Sequence, residues 1–167
     1  VGAGWRGAPY RVEAVLADLE LDGHLDPGLL HVAVGRAGLA FLFALGEGAT
    51  WRMLATRPAG PNPPGAFGQL GPEVPAEEVR ELVQSSGLAA GVRAVGWTAQ
   101  VPLQHRLAGR FRNGNIFLAG DAAHAHSPAG GQGMNNGILD ALNLGWKLGF
   151  AAAGGEHREL LDSYDFE

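Results

Sequence analysis

The sequence contains no cysteine among its 167 residues, which excludes disulfide bonds and thiolate metal sites. Charged residues make up only 17%, and the net charge of −5 argues against nucleic acid or anionic membranes as partners, because both attract basic surfaces. The longest strongly apolar run, Leu39 to Leu45, is far too short to span a bilayer, and no signal segment opens the chain. We therefore expect a cytoplasmic protein that binds neither nucleic acid nor membrane.

Glycine is the residue present in excess, at 27 of 167 positions. The usual fraction is roughly 7%, and the glycines follow no fixed period, which excludes a collagen-like chain. Turns and close backbone contacts are the roles that we expect for them.

The first part of the chain predicts an antiparallel meander, because short apolar or alternating runs are separated by turn residues. The predicted strands are Arg11–Leu21, Leu29–Val34, Leu39–Leu45, Thr50–Arg57 and Gly91–Val101. Residues 57–71 are rich in proline and glycine and predict a loop. A helix is expected to begin at Pro75, with acidic residues in its first turn, and to end at Gly87.

The second part predicts a strand, a loop and a long helix. Residues 104–113 are polar and basic and predict a boundary, and Asn115–Ala119 predicts a short buried strand. A helix is expected from Gly133 to about Ala153. Its expected inner face carries Ile138, Ala141, Leu142, Gly145, Leu148 and Gly149, with Asp140, Asn143 and Lys147 on the other face.

These elements predict a mixed α/β (α+β) fold, with an antiparallel sheet and one helix followed by a strand–loop–helix segment. The predicted divisions are a substrate-domain segment over residues 1–109, a cofactor-domain segment over 110–154, and the start of a further helix over 155–167.

The loop between the last strand and the long helix has the properties of a binding site. Free N–H groups at a helix start favour an anion or a delocalised negative charge. Gly130, Gly131 and Gly133 leave the backbone bare for a flat ligand, and Asp121 at the strand end can accept hydrogen bonds from hydroxyls. The residues predict contact with a polyol and a planar, partly anionic ring; the alternative is a glycine-rich connection that only lets strand and helix pack closely.

The same loop excludes other common sites. No Gly-Lys-Ser/Thr follows the glycines, so it is not a P-loop, and the glycine spacing is not that of a G-x-G-x-x-G strand-to-helix turn. His124 and His126 form an H-x-H pair, but no third metal ligand at sensible spacing is evident, so we expect no metal. No Ser-His-Asp or paired-carboxylate arrangement stands out, so no catalytic side chain is assigned.

The segment GNIFLAGDAAHAHSPAGGQGMNNGILDALNLGWKL, residues 114–148, resembles the second flavin-binding motif of the class A flavoprotein aromatic hydroxylases. This is the p-hydroxybenzoate hydroxylase-like family, whose members include aromatic polyketide hydroxylases. Residues 4–114 are similar, more loosely, to the family's substrate domain. Asn136 and Leu139 depart from the family pattern, beyond the core of the loop.

The resemblance implies a set of FAD contacts. Asp121 would bind the ribityl chain, with Gly120 allowing its close approach, and Pro128 would lie near the flavin ring. Backbone along the pyrimidine edge would come from Gly130, Gly131, Gly133, Met134 and Asn135. The implied reaction uses NAD(P)H to reduce FAD and a flavin hydroperoxide to hydroxylate a small phenolic or polyketide substrate.

One part of the family pattern has no counterpart. The first 114 residues supply no βαβ unit of the kind that grips the ADP half of FAD. We therefore expect an internal piece of a larger enzyme that holds FAD weakly or not at all by itself. The alternative is a flavin-free, non-catalytic module that associates with itself or with a missing N-terminal half through exposed apolar faces.

Overall fold

The computed structural model describes residues 2–36, 38–46, 50–60, 71–154 and 158–167. Its strands are β1 (Trp5–Gly23), β2 (His31–Gly35), β3 (Gly38–Ala44), β4 (Thr50–Pro58), β5 (Ala90–Ala108), β6 (Arg112–Asn113), β7 (Ile116–Phe117) and β8 (His124–Ala125). The helices are α1 (Ala76–Ser86), α2 (Gly133–Ala152) and α3 (Arg158–Ser163), with 3-10 turns at Gly120–Ala122 and Pro128–Gly130. A six-stranded antiparallel sheet, in the order β2-β3-β4-β1-β5-β8, confirms the predicted mixed fold class.

Two compact units make up the chain. The central unit is Tyr10–Leu103, and the terminal unit combines Val1–Pro9 with Gln104–Glu167. The predicted functional division at residues 109 and 154 stays a prediction. Most of the predicted loop at 57–71 lies outside the described residues.

The core of the central unit lies between the sheet and α1. Alternate residues of β1, namely Val15, Ala17 and Leu19, point into it, as a strand with one covered face requires. The register pairs Leu19 with Trp51 and Leu42 with Met53, so these four side chains meet on the buried face. Strands β2, β3 and β4 form the predicted antiparallel meander, but β1 lies between β4 and β5 instead of beside β2.

Helix α1 begins and ends where the sequence predicts. Pro75 precedes its first turn, Glu77 and Glu78 lie in that turn, and Gly87 closes the helix in the left-handed conformation with φ 74°. Val79 and Val83 face the sheet and are fully buried. Burial of this two-residue stripe fixes α1 on the sheet.

Buried polar groups of the central unit have partners. Glu13 is 2% exposed and accepts hydrogen bonds from Arg57 Nε at 2.7 Å and Gln100 Nε2 at 2.5 Å. Thr98 Oγ1 accepts from the Val74 N–H at 2.8 Å. Such pairing offsets the cost of removing these groups from water.

The terminal unit corrects one strand prediction and extends another. Strand β5 continues past its predicted end at Val101 to Ala108, and Leu107 pairs with His124 of β8. The division between the two units falls before Gln104, at the start of the polar stretch that predicts a boundary. Asn115–Ala119 is not a buried strand: only Ile116 and Phe117 are extended, in a hairpin with β6, and Ile116 is 52% exposed. An apolar run is buried only where another element covers it.

Helix α2 has the predicted bounds but the opposite orientation. Lys147, on the face expected to be polar and outward, is 1% exposed, and its Nζ contacts Ser163 Oγ at 2.7 Å and Glu167 Oε2 at 2.6 Å. The expected inner face is exposed, with Ile138 at 50% and Leu142 at 64%. The lysine is buried because α3 and the residues after it supply its partners. Within the described ranges, no helix is long and apolar enough to cross a bilayer.

Candidate functional site

Gly120 opens a tight turn, here called the Gly120 turn (Gly120–His124). Gly120 has φ 57°, a conformation that glycine adopts without strain, and its carbonyl accepts the Ala123 N–H at 2.8 Å. At the far end, the Ala108 N–H donates to the Ala123 carbonyl at 2.7 Å, which anchors the turn to the end of β5. The turn therefore holds Asp121 on a backbone fixed at both ends.

Helix α2 lies against the Gly120 turn without an intervening side chain. A Cβ placed on Gly137 would be 3.4 Å from Gly120 Cα, and one placed on Gly120 would be 3.7 Å from Gly137 Cα. Gly137 thus permits the first turns of the helix to approach the turn at backbone distance. Sequence reasoning assigned Gly120 and missed Gly137.

The glycine-rich loop ends in a bare helix start. The Gly131 N–H donates to the Pro128 carbonyl at 2.9 Å, and Gly131 has φ 62°. Gln132 occupies the N-cap position of α2 and makes no side-chain capping hydrogen bond. The N–H groups of the first helical turn are accordingly not satisfied by a capping side chain, which is the condition under which a helix start binds negative charge.

Asp121 is exposed in the Gly120 turn. Its carboxylate makes no hydrogen bond or ion pair with any residue that the structure describes. It is therefore available to accept hydrogen bonds from a ligand hydroxyl.

The predicted site residues all lie in the terminal unit. The structure brings Gly120 to the first turns of α2, which begins at Gly133. Pro128, Gly130, Gly131, Met134 and Asn135 are exposed along the loop and helix start, and Met134 is 77% exposed.

Asp140 links helix and turn, which sequence reasoning did not foresee. Its Oδ2 accepts the Gly120 N–H at 2.8 Å and lies 2.7 Å from His124 Nε2. The two side chains are 19% and 16% exposed. The only sequence signal is a carboxylate on the polar face of a largely apolar helix.

The two histidines are held by rings and by Asp140 rather than by a metal set. His124 stacks on Phe111 with centroids 6.1 Å apart and lies 5.9 Å from the His126 ring. Among the described residues, no three His, Asp or Glu side chains are grouped as metal ligands. His126 Nε2 would lie 3.7 Å from a Cβ on Gly133, so this ring stands beside the helix start.

A cavity of about 680 Å³ lies beside the turn and α2. Its lining includes Arg6, Arg110, His124, Asp140 and Tyr164. Burial, helped by the negative charge of Asp140, raises the pKa of Tyr164 to about 12, and the Tyr164 hydroxyl donates to the Leu118 carbonyl at 2.9 Å. Tyr164 is therefore a neutral hydrogen-bond donor at physiological pH.

These features fit the ribityl chain and the ring of a flavin. A free carboxylate suits the ribityl hydroxyls, and an uncapped helix start preceded by bare glycines suits a flat ring that carries negative charge. FAD would thus meet Asp121 at one point and the backbone of residues 130–135 at another.

The sequence profile of one family, described as an FAD binding domain, matches residues 68–167. Among curated proteins, the chain is 36% identical over 156 residues to 6-methylpretetramide 4-monooxygenase of Streptomyces rimosus, covering 90% of this chain and 26% of that protein. It is 33% identical over 174 residues to pentachlorophenol 4-monooxygenase of Sphingobium chlorophenolicum, covering 100% of this chain and 30% of that protein. The chain spans between 18% and 34% of the length of such relatives.

Two solved structures resemble nearly the whole of this chain. OxyS, an anhydrotetracycline hydroxylase from Streptomyces rimosus, is 35% identical with a TM-score of 0.66, over 99% of this chain and 32% of that one. PyrE3, described as a Diels-Alderase of pyrroindomycin biosynthesis, is 31% identical with a TM-score of 0.76, over 99% of this chain and 35% of that one.

Proposed function

The chain belongs to the FAD binding domain family, and on that basis we propose that it is part of an FAD-dependent monooxygenase that hydroxylates a small aromatic molecule of phenolic or polyketide type. Membership confirms the FAD-binding resemblance found in residues 114–148. Relatives named as monooxygenases of 6-methylpretetramide and pentachlorophenol support the reaction class.

The observation that carries the proposal is the Asp121 carboxylate, unpaired within the described part of the chain, in a turn packed on a helix whose start has no side-chain cap. Asp121 accepts hydrogen bonds from the ribityl hydroxyls. The N–H groups at the start of α2 stabilise negative charge on the ring's pyrimidine side, by about 0.3–1 kcal/mol and up to ~2 where partly buried. Pro128 lies near the ring, and Gly130, Gly131, Gly133, Met134 and Asn135 present backbone to it.

FAD, when bound, supplies the oxygen-activating chemistry, and the protein supplies position and exclusion of water. The finer proposal is that NAD(P)H is the reductant, that hydroxylation proceeds through a flavin hydroperoxide, and that the enzyme is cytoplasmic. A likeness of fold does not fix the reaction, as the Diels-Alderase described above illustrates, so substrate oxidation must be measured directly.

An FAD titration followed by flavin fluorescence tests the site. Asp121→Asn is expected to weaken binding about tenfold, because one charge-assisted hydrogen bond becomes a neutral one. Glu159→Gln, an acidic residue of α3 in the same unit, is the matched control and should leave binding unchanged. Aromatic-stimulated NAD(P)H oxidation by the flavin-loaded chain tests the reaction. A chain that takes up no flavin and oxidises nothing would contradict the proposal for this chain.

A second candidate function is a self-associating module, and the surface of α2 favours it. An apolar stripe runs along the helix at every fourth position: Met134, Ile138, Leu142 and Trp146 are 77%, 50%, 64% and 56% exposed. Contiguous apolar surface of this kind marks an interaction site. Its candidate partner is a second copy of this chain.

Light scattering at increasing concentration separates these possibilities. The module hypothesis expects a dimer or larger species that Leu142→Glu with Trp146→Glu returns to the monomer. Arg158→Glu, at a polar exposed position of the same unit, is the matched control. A monodisperse monomer at all concentrations would contradict self-association.

A further inference from the structure

We propose that Asp140 is a positioning residue of the flavin site: it fastens the Gly120 turn to helix α2 and thereby orients Asp121. This inference rests on the proposed function, in which Asp121 and the start of α2 contact the same cofactor.

The first step is geometric. One carboxylate oxygen, Asp140 Oδ2, contacts both ends of the turn: the Gly120 N–H at 2.8 Å and His124 Nε2 at 2.7 Å. Gly120 immediately precedes Asp121, and His124 begins β8. Asp140 therefore fixes the backbone directly before Asp121 and the side chain that closes the turn.

The second step concerns the helix. Asp140 belongs to α2, whose start would meet the flavin ring, and Gly137 one turn earlier lies against Gly120 at backbone distance. The carboxylate and the two glycines thus join the two predicted contact points into one body. Cofactor affinity depends on such prior alignment, because a site that must first be ordered binds more weakly.

The third step is that the carboxylate is held in place. The Asp140 side chain is 19% exposed, and His124 is braced by Phe111 through ring stacking. Charge-assisted hydrogen bonds to a carboxylate are about twice as strong as neutral ones. Asn at position 140 keeps one acceptor oxygen for the Gly120 N–H, whereas Ala keeps none.

The test compares Asp140→Ala, Asp140→Asn and a control, Asp162→Ala. Asp162 Oδ1 also accepts a hydrogen bond, from Arg112 Nη1, in the same unit. Two quantities are measured for each variant: amide hydrogen exchange of residues 120–124 in the flavin-free chain, and FAD affinity by flavin fluorescence.

We expect Asp140→Ala to speed exchange of the Gly120 turn and to weaken FAD binding about ten- to hundredfold, the loss of a hydrogen bond to a charged group. Asp140→Asn should recover part of both effects, and Asp162→Ala should change neither.

Unchanged exchange in Asp140→Ala would overturn the fastening role, whatever the affinity. Faster exchange with unchanged FAD affinity, or an equal loss of affinity in Asp162→Ala, would overturn the positioning role. A wild-type chain that binds no flavin would contradict the proposed function instead, and the exchange comparison would still decide whether Asp140 fastens the turn.

Discussion

The two units differ in which side chains they bury and which they expose. In the central unit, the buried cluster that includes Val15, Leu42, Trp51 and Val79 is complete between sheet and helix. In the terminal unit, helix α2 buries Lys147 and exposes its apolar stripe. The contrast teaches that the central unit is stabilised by its own core, whereas α2 presents apolar surface that another molecule or segment can cover.

The largest effect should come from the buried charge of the central unit. Glu13→Ala leaves Arg57 and Gln100 without their shared partner and is expected to cost about 3–5 kcal/mol of unfolding free energy. Asp162→Ala breaks the Arg112 pair of the terminal unit, whose carboxylate is 52% exposed, and should cost less than about 1 kcal/mol. Urea unfolding followed by circular dichroism measures both, and equal costs would break the comparison.

A matched leucine pair tests the cores themselves. Leu42→Ala, at 1% exposure, should lower the unfolding free energy by about 2–5 kcal/mol because it opens a cavity. Leu142→Ala, at 64% exposure on the apolar stripe, should change it by no more than about 0.5 kcal/mol in the monomer. A large loss at Leu142 under dilute conditions would mean that α2 already packs on something in solution.

Tyr164 gives the terminal unit a dependence on alkaline pH. Its pKa is raised to about 12 from the ordinary value of 10, so the unfolded chain loses this proton first. The neutral Tyr164 side chain therefore contributes about 2–3 kcal/mol to the free energy of unfolding. This contribution is complete below pH 10 and is lost as the pH rises through 12. Unfolding free energies across this range, compared with Tyr164→Phe, measure it. The same slope in both proteins would contradict the assignment.

The smallest expected effect is a difference in stability between alanine substitutions at two glycines of α2. Gly145 has open space where a Cβ would lie, so Gly145→Ala should stabilise the helix by about 0.5–1 kcal/mol. Gly137→Ala should gain less, because its Cβ would meet Gly120 Cα at 3.4 Å. Thermal unfolding of the two variants measures the difference, and an equal gain would show that the helix does not press on the Gly120 turn.

Local rules predicted what is decided locally. Short apolar or alternating runs between turn residues located β1 to β4, and Pro75 and Gly87 marked the ends of α1, because strands, turns and helix ends depend on neighbouring residues. The bounds of α2 were predicted for the same reason. The prediction of Asp121 and the glycine loop as the cofactor site remains a prediction that the FAD experiments test.

Contacts between distant residues were not predictable from local pattern. Lys147 is buried because its ammonium group donates hydrogen bonds to Ser163 and Glu167. The Asp140 carboxylate points inward because it forms hydrogen bonds with Gly120 and His124. Periodicity assumes that the apolar face of a helix lies against the core, and along α2 the described residues leave that face exposed. The prediction of a buried strand at Asn115–Ala119 was wrong for the same reason, since among the described residues only β6 pairs with this segment.

Amide chemical-shift mapping during an FAD titration tests the central claim most directly, because it reports even weak binding residue by residue. The account predicts shifts concentrated at Gly120, Asp121 and residues 130–135, with the central unit unmoved, and about tenfold more FAD needed to produce them in Asp121→Asn. Shifts confined to the central unit, or none at saturating FAD, would contradict it.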